Sequence, residues 1–388
     1  MPVARQPGGQ MTRNELIEAL KRLYVDCLVD WDRNHADKLL TSEDSAELGW
    51  GEAYVLRAFV GAYRFTGDVY WLRRLCAHAG AVLANAKDAP EGKPFDPVYA
   101  DGFLGWGTYR YSGQYDEYMV HDGHICTPVA EFAAMVFADG RLYEAFGEDA
   151  TRFVRFIENH IAAKWLNVWD RRRDGDREFA WGETVRNWGG LDFIPHNQYA
   201  AFGALLVFLD DVVRDPRYSS VMGAAAQTVY RRKAIEMGEY FKAHVESLPG
   251  TDAYAWKYHD TCGAEDTSHA NLELEFAWWL HERGLVFSDS DMDRFAGTFA
   301  NVMWNGDAED PRVNASTDGK GDWTGGKTTW GWALFSRRDP ALWHVLARTF
   351  LSESEAPTSS GLVAMGRLLE AGTEAGAKLP TRGGTQRG

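Results

Sequence analysis

One recurring pattern constrains the fold of this 388-residue chain more than any other. An apolar helical segment ends, a short turn carrying Asp follows, and a second helical segment opens on aromatic or apolar residues. Thr66-Gly67-Asp68 stands before Val69-Tyr70-Trp71, Arg214-Asp215-Pro216 before Tyr218, and Arg338-Asp339-Pro340 before Leu342-Trp343. Looser versions occur at Gly147-Glu148-Asp149 and Ser288-Asp289. Asp suits such a turn because its carboxylate accepts from the free amides at a helix start. Pro216 and Pro340 take the first helical position, where a missing N–H does no harm. The segments carry helical spacing: Leu56, Phe59, Val60 and Tyr63 fall at i, i+3, i+4 and i+7, and Ile125, Val129, Phe132 and Val136 nearly repeat it. Tyr199, Phe202, Leu206 and Leu209 form another stripe, as do Leu272, Phe276 and Leu280. Convincing alternating strands are absent. The pattern predicts about twelve helices, in hairpins that pair a more buried helix with a more exposed one.

The longer segments between hairpins are residues 89–124, 165–195, 248–268 and 305–327. If the hairpins stack in one direction, all four fall on the side opposite the short turns. That asymmetry predicts an all-α fold, an (α/α)6-type toroid of helical hairpins with long loops on one face. A superhelical stack is the competing architecture, but such arrays show more regular periods. The expected organisation is a disordered N-terminus (1–11), a single catalytic domain (12–371) and a flexible tail (372–388).

With 45% hydrophobic residues, a chain of this length can bury a large core. A net charge of −15 argues against nucleic acid and anionic membranes as partners, since both attract basic patches. Residues 1–10 lack the apolar run of a signal peptide, and no stretch approaches the ~20 apolar residues that span a bilayer. Cys27, Cys76, Cys126 and Cys262 stand far apart, which fits reduced thiols in a cytoplasm. A removed leader would make the protein secreted instead. The oligomeric state is open.

Four clusters carry the chemistry. In His121-Asp122-Gly123-His124, Thr127 reads as a helix cap with Pro128 after it, so both imidazoles fall in the preceding loop and suit hydrogen bonds to a ligand more than a metal. Arg186-Asn187-Trp188 leads to His196-Asn197-Gln198, where a guanidinium fork and two amides match a carboxylate; Asn197 alone could be a cap. The segment 258–269 holds Tyr258, His259, Asp260, Glu265, Asp266 and His269 ahead of an apolar helix. A helix starting near Asp266 puts His269 in its first turn, with Glu273 one turn on. The positive helix end is expected to lower the His269 pKa and keep it neutral. Asp318-Gly319-Lys320-Gly321-Asp322-Trp323, running on to Trp330, fits a mobile loop over a cleft. Aromatics in the long loops, among them Trp106, Tyr115, Trp188 and Trp256, suit stacking on sugar rings or sealing one end of the fold.

The hairpin pattern over residues 12–371, with His196-Asn197-Gln198 and Glu265-Asp266-Thr267-Ser268-His269, resembles the (α/α)-barrel uronate-polysaccharide lyases that act on glucuronan or alginate. The resemblance implies β-elimination from an acidic carbohydrate without metal or organic cofactor. Asn197, with Arg186, would neutralise the uronate carboxylate. His259 or His269 would remove the C5 proton, and Tyr258 would protonate the C4 oxygen. It makes Trp106, Tyr115, His121, His124, Trp188, Gln198, Trp256 and Glu265 the substrate-binding set. No Tyr follows Tyr258, so a catalytic Tyr from a late hairpin has no match here. Three alternatives stay open: an epimerase of the N-acylglucosamine 2-epimerase type with paired His, a hydrolase using Asp122, Asp260 or Glu265, and a non-catalytic carbohydrate-binding protein.

Overall fold

The computed structural model describes residues 11–34, 38, 40–90, 92, 100–174, 177–182, 194–259, 262–307, 310–324, 329–352 and 358–374. The chain is all-α in class. Its helices are α1 (Arg13–Asn34), α2 (Ala53–Thr66), α3 (Val69–Ala84), α4 (Met119–Ala138), α5 (Gly140–Phe156), α6 (Ala163–Val168), α7 (His196–Val213), α8 (Ala226–His244), α9 (Thr267–His281), α10 (Asp289–Gly297), α11 (Pro340–Ser352) and α12 (Ser359–Glu374). A π-helical turn, Leu48–Glu52, leads into α2, and a 3-10 segment, Trp332–Arg337, precedes α11.

Among the described residues, four two-stranded antiparallel hairpins correct the expectation that convincing strands are absent. They are β1 (Gly107–Thr108) with β2 (Asp116–Glu117), β3 (Trp169–Asp174) with β4 (Arg177–Gly182), β5 (Glu246–Leu248) with β6 (Ala253–Ala255), and β7 (Val313–Asn314) with β8 (Trp323–Thr324). One falls in each long inter-helix segment. Most of these strands are too short for a period of two to show in the sequence.

The apolar-all-round helices α4, α7 and α9 are buried on nearly every face, as such helices must be. Among the helix pairs in contact, α2 packs on α4, α4 on α7, α7 on α9, α9 on the 3-10 segment, that segment on α12, and α12 on α2. The more polar helices lie against this series: α3 on α2, α5 on α4, α8 on α7, α10 and α11 on the 3-10 segment, and α1 on α12.

Several of the turn readings hold. Asp68 Oδ1 accepts from Tyr70 N at 2.9 Å, Asp339 Oδ1 accepts from Ala341 N at 2.8 Å ahead of α11, and Ser288 forms a capping box with Asp291. Two do not. Residues 147–149 lie inside α5, whose cap is Asp139, and Asp215 closes a turn well before α8 begins.

The reading of Thr127 as a cap is also overturned. Helix α4 starts at Met119, so His121 and His124 are helical and buried, and Pro128 lies in the helix interior. Pro128 cannot donate to the carbonyl of His124, four residues back. Arg57 Nη1 donates to that oxygen instead, at 2.8 Å, so a side chain from α2 replaces the missing backbone bond. Gly123 is explained by packing rather than by a loop. A Cβ there would lie 2.6 Å from Phe202 N and 2.7 Å from Ala201 C, on the backbone of α7. Gly123→Ala is therefore expected to cost about 1–3 kcal/mol. Denaturant midpoints check this, and a variant as stable as wild type would show that α4 and α7 do not meet so closely.

Arg57 continues to the centre of the molecule. Its Nε and Nη2 donate to the two oxygens of Glu275 on α9 at 3.2 and 2.9 Å, and Arg367 of α12 donates to the same carboxylate. Two cations on one buried carboxylate hold it below its ordinary pKa despite burial. Side chains from α2, α9 and α12, with a carbonyl of α4, thus meet at one point.

Candidate functional site

Above that ionic centre, the first turns of the buried helices place polar side chains together. Trp50, in the π-helical turn before α2, is the hub. Its ring centroid lies 5.6 Å from that of His121, 5.5 Å from His124 and 6.2 Å from His269. π-Helical turns inside helices often mark functional positions. Gly49 permits the approach, since a Cβ there would already lie 3.2 Å from the His121 ring.

The two histidines of α4 differ. His121 Nδ1 meets Ser45 Oγ at 2.8 Å, and Nε2 meets Tyr111 Oη at 3.4 Å. His124 is packed between Tyr54 (4.8 Å) and Trp330 (6.0 Å), and neither of its ring nitrogens has a partner. Burial first, then the positive charge of Arg57, holds His124 well below the ordinary value, so it is neutral.

The start of α7 brings Asn197 and Gln198. Its N-cap is Pro195, so Asn197 is not a cap. Asn197 hydrogen-bonds the Tyr258 hydroxyl, while its Oδ1 and both amide atoms of Gln198 are buried without a partner. The Tyr258 carbonyl accepts from His196 N at 3.1 Å, which fixes the loop to α7. Burial, and then the negative charge of Glu265 and Glu273, push the Tyr258 phenol far up, so it is protonated.

Helix α9 starts as its sequence predicts, with Asp266 as cap. Asp266 Oδ1 accepts from Ser268 N at 2.8 Å and His269 N at 3.1 Å, while Oδ2 takes His269 Nδ1 at 2.6 Å. Burial alone would lower the His269 pKa, but the bond and charge of Asp266, with Glu265 beyond, raise it overall. The expected lowering of the His269 pKa is thereby corrected. The carboxylate that caps the helix also cancels the positive end that was to neutralise the ring. Tyr258 and His269 stand 5.1 Å apart between ring centres. The loops lace together here: Thr267 N donates to Ala315 O at 3.1 Å and Thr317 N to Glu265 O at 3.0 Å.

Glu265, Asp266 and His269 place ligand atoms within 4.8 Å of one another, a spacing open to a cation. Adjacent ligands of a divalent ion with bonds of about 2.1 Å stand about 3 Å apart. Asp266 and His269 have closed to 2.6 Å, which is a hydrogen bond rather than a coordination edge.

Other expected residues serve elsewhere. Trp106 is buried against Phe156 and donates to Val82 O at 3.3 Å. Trp256 is buried against Phe241 and Phe295. Tyr115 is buried with its hydroxyl on Glu117 at 3.3 Å. These three are packing residues, not stacking platforms. Asp122 is fully buried, with Oδ2 held by Lys164 at 3.0 Å and Trp165 at 2.8 Å and Oδ1 without a partner, so the hydrolase role proposed for it finds no solvent-facing carboxylate. His259 pairs with Cys262 Sγ at 2.8 Å and lies near His196, with its ring centre 5.9 Å from that of Tyr258. Arg186, Trp188, Asp260 and residues 325–328 of the expected lid lie outside the described residues.

Sequence reasoning missed Trp50 and Tyr54 and did not place Trp330 at the site. A signal was present: Trp50-Gly51 and Trp330-Gly331 each precede a buried helical segment, and Gly331 packs directly on Asn271, where a Cβ would lie 2.7 Å from its Cα.

His121 and His196 give the site a pH signature. Burial pushes both down to about 3 from an ordinary 6.5, so the unfolded chain binds protons that the folded chain refuses. Each of these two rings therefore contributes a loss of stability as pH drops from 6.5 toward 3, opposite in sign to the contribution of buried carboxyls whose pKa is raised. Between pH 6.5 and 5, above the carboxylate range, the loss is roughly 2 kcal/mol for each residue. Denaturant midpoints across that window measure it, and His121→Gln should flatten the slope by about one proton's worth. A slope unchanged by His121→Gln would contradict burial of a neutral ring at that position.

No family model matches this chain, and no curated protein matches it.

Proposed function

We propose that the chain is a lyase that cleaves a uronic-acid-containing saccharide by β-elimination. We further infer that its helical hairpins close into an (α/α)6-type toroid with this site at one end. The toroid is supported by the order of helix contacts, which returns from α12 to α2, and by the meeting of α2, α4, α9 and α12 around Glu275.

The observation that carries the chemistry is a pair of unlike proton-handling groups on Trp50. On one side is His124, neutral and unpartnered; on the other is His269, oriented by Asp266 and stacked near Tyr258. In the proposed step Asn197 and Gln198 bond the uronate carboxylate and lower the C5–H acidity barrier. His124 takes the C5 proton, the C–H electron pair forms the C4=C5 double bond, and the C4–O bond breaks. Tyr258, backed by His269, gives its proton to the leaving oxygen. His259, the alternative base, is replaced in this role because it pairs with Cys262.

Incubation with glucuronan, alginate and hyaluronan should produce growing ultraviolet absorbance from the unsaturated product with at least one of them. Absence of absorbance with all three, alongside a folded protein, argues against elimination.

The unlike imidazoles also favour a second reading, epimerisation, in which one ring removes a proton and the other returns it on the opposite face. Exchange of a solvent deuteron into an uncleaved sugar, without unsaturation, would select that reading.

A further inference from the structure

Two buried carboxyl groups at the start of α9 have no directly bonded cation among the described residues. Glu265 and Glu273 are both 0% exposed. The two carboxyls face each other; Glu265 Oε1 accepts from Asp266 N at 3.0 Å, while Glu265 Oε2 and both oxygens of Glu273 are buried with no other partner. A contact between two carboxyl groups holds together only if a proton lies between them.

Among the described residues, the charged groups around them supply no alternative. On α9 itself, His269 Nδ1 is bound to Asp266 and stands 3.9 Å from Glu265 Oε1. Arg57 of α2 and Arg367 of α12 are both spent on Glu275. Helix α7 contributes the neutral amides of Asn197 and Gln198, the preceding loop contributes the Tyr258 phenol, and residues 315–317 contribute backbone groups. Asp266 adds negative charge.

We propose that Glu265 and Glu273 share a single proton at neutral pH, and that Glu273 is a positioning residue which keeps Glu265 a neutral hydrogen-bond donor beside Tyr258 and His269. The pair then carries one negative charge instead of two. An anionic saccharide entering next to Asn197 meets correspondingly less repulsion. The role in turnover rests on the lyase reading; the shared proton does not. Burial raises both groups, Glu273 to about 8, in keeping with the geometry.

The test is a pH titration of the wild-type protein with carbon-13-labelled glutamate carboxyls, followed by NMR. One carboxyl signal should keep the shift of a protonated acid through pH 7. In Glu273→Gln that signal should be lost, because the amide donates to Glu265 and lets it ionise. Wild-type signals that all titrate below about pH 6 would overturn the proposal. So would stoichiometric binding of Mn2+ with loss of the high-pH signal, which would make the partner a cation. For the positioning role, the alkaline limb of the rate profile should move down by at least about one pH unit in Glu273→Gln, a roughly tenfold loss on that limb. An unmoved limb would remove Glu273 from the mechanism. If the titration is as expected but no uronate is cleaved, the lyase reading fails and the acid pair stands.

Discussion

His269→Ala is expected to lower turnover on the responsive uronate by about 10²–10⁴-fold, the usual contribution of a positioned acid–base group. The fold should survive. His269 is partly exposed, and the bonds that Asp266 Oδ1 accepts from the backbone amides of Ser268 and His269 do not involve the ring and outlast it. His259→Ala is the internal comparison. It disturbs a pair with Cys262, not the Trp50 group, so its rate should stay within a few-fold of wild type. Initial rates with circular dichroism melts on both variants check this. Wild-type turnover in His269→Ala would take the ring out of the mechanism, and a larger loss in His259→Ala would restore the base that the geometry demotes.

The largest effect on stability is expected at Glu275. Its side chain is 1% exposed and receives Arg57 and Arg367 from different helices. Replacing a buried ion pair by apolar residues can be neutral, but removing one partner strands the others. Glu275→Ala leaves two buried guanidiniums unpaired and frees Arg57 from the fork that aims it at His124 O. A loss of about 3–5 kcal/mol is expected. Denaturant unfolding checks it, and a loss under about 1 kcal/mol would mean that the centre is hydrated rather than dry. Trp330 offers a second readout. Arg57 and Arg367 lie 5.8 and 4.8 Å from its ring centre, so its fluorescence should change in the same variant.

The helix starts were legible wherever one residue decides them. Asp68, Asp266 and Asp339 cap as read, and the Ser288-Asp289 turn opens a helix with Ser288 rather than Asp289 as its cap, because capping needs only a short acceptor and the amides that follow it. The α4 start was misread because Thr127-Pro128 has the local form of a helix opening. What allows Pro128 inside α4 is Arg57, 71 positions earlier in the chain, and no local pattern contains it. Aromatic roles were unreadable for a related reason. Trp106 and Trp50 both precede glycine, yet one is buried against Phe156 and the other gathers three imidazoles.

The sequence by itself determined the all-α class, the pairing of apolar with more polar helices, and the chemistry gathered near residues 258–269. These follow from periodicity and composition, which act over a few residues. Only the tertiary structure decided which groups share a site and in what protonation state. Burial, and charges brought in by other helices, make His124 neutral, raise His269, and press Glu265 against Glu273. Electrostatic environment is a property of neighbours in space, so the same imidazole that the sequence offered with a lowered pKa has it raised by the carboxylate that begins its own helix.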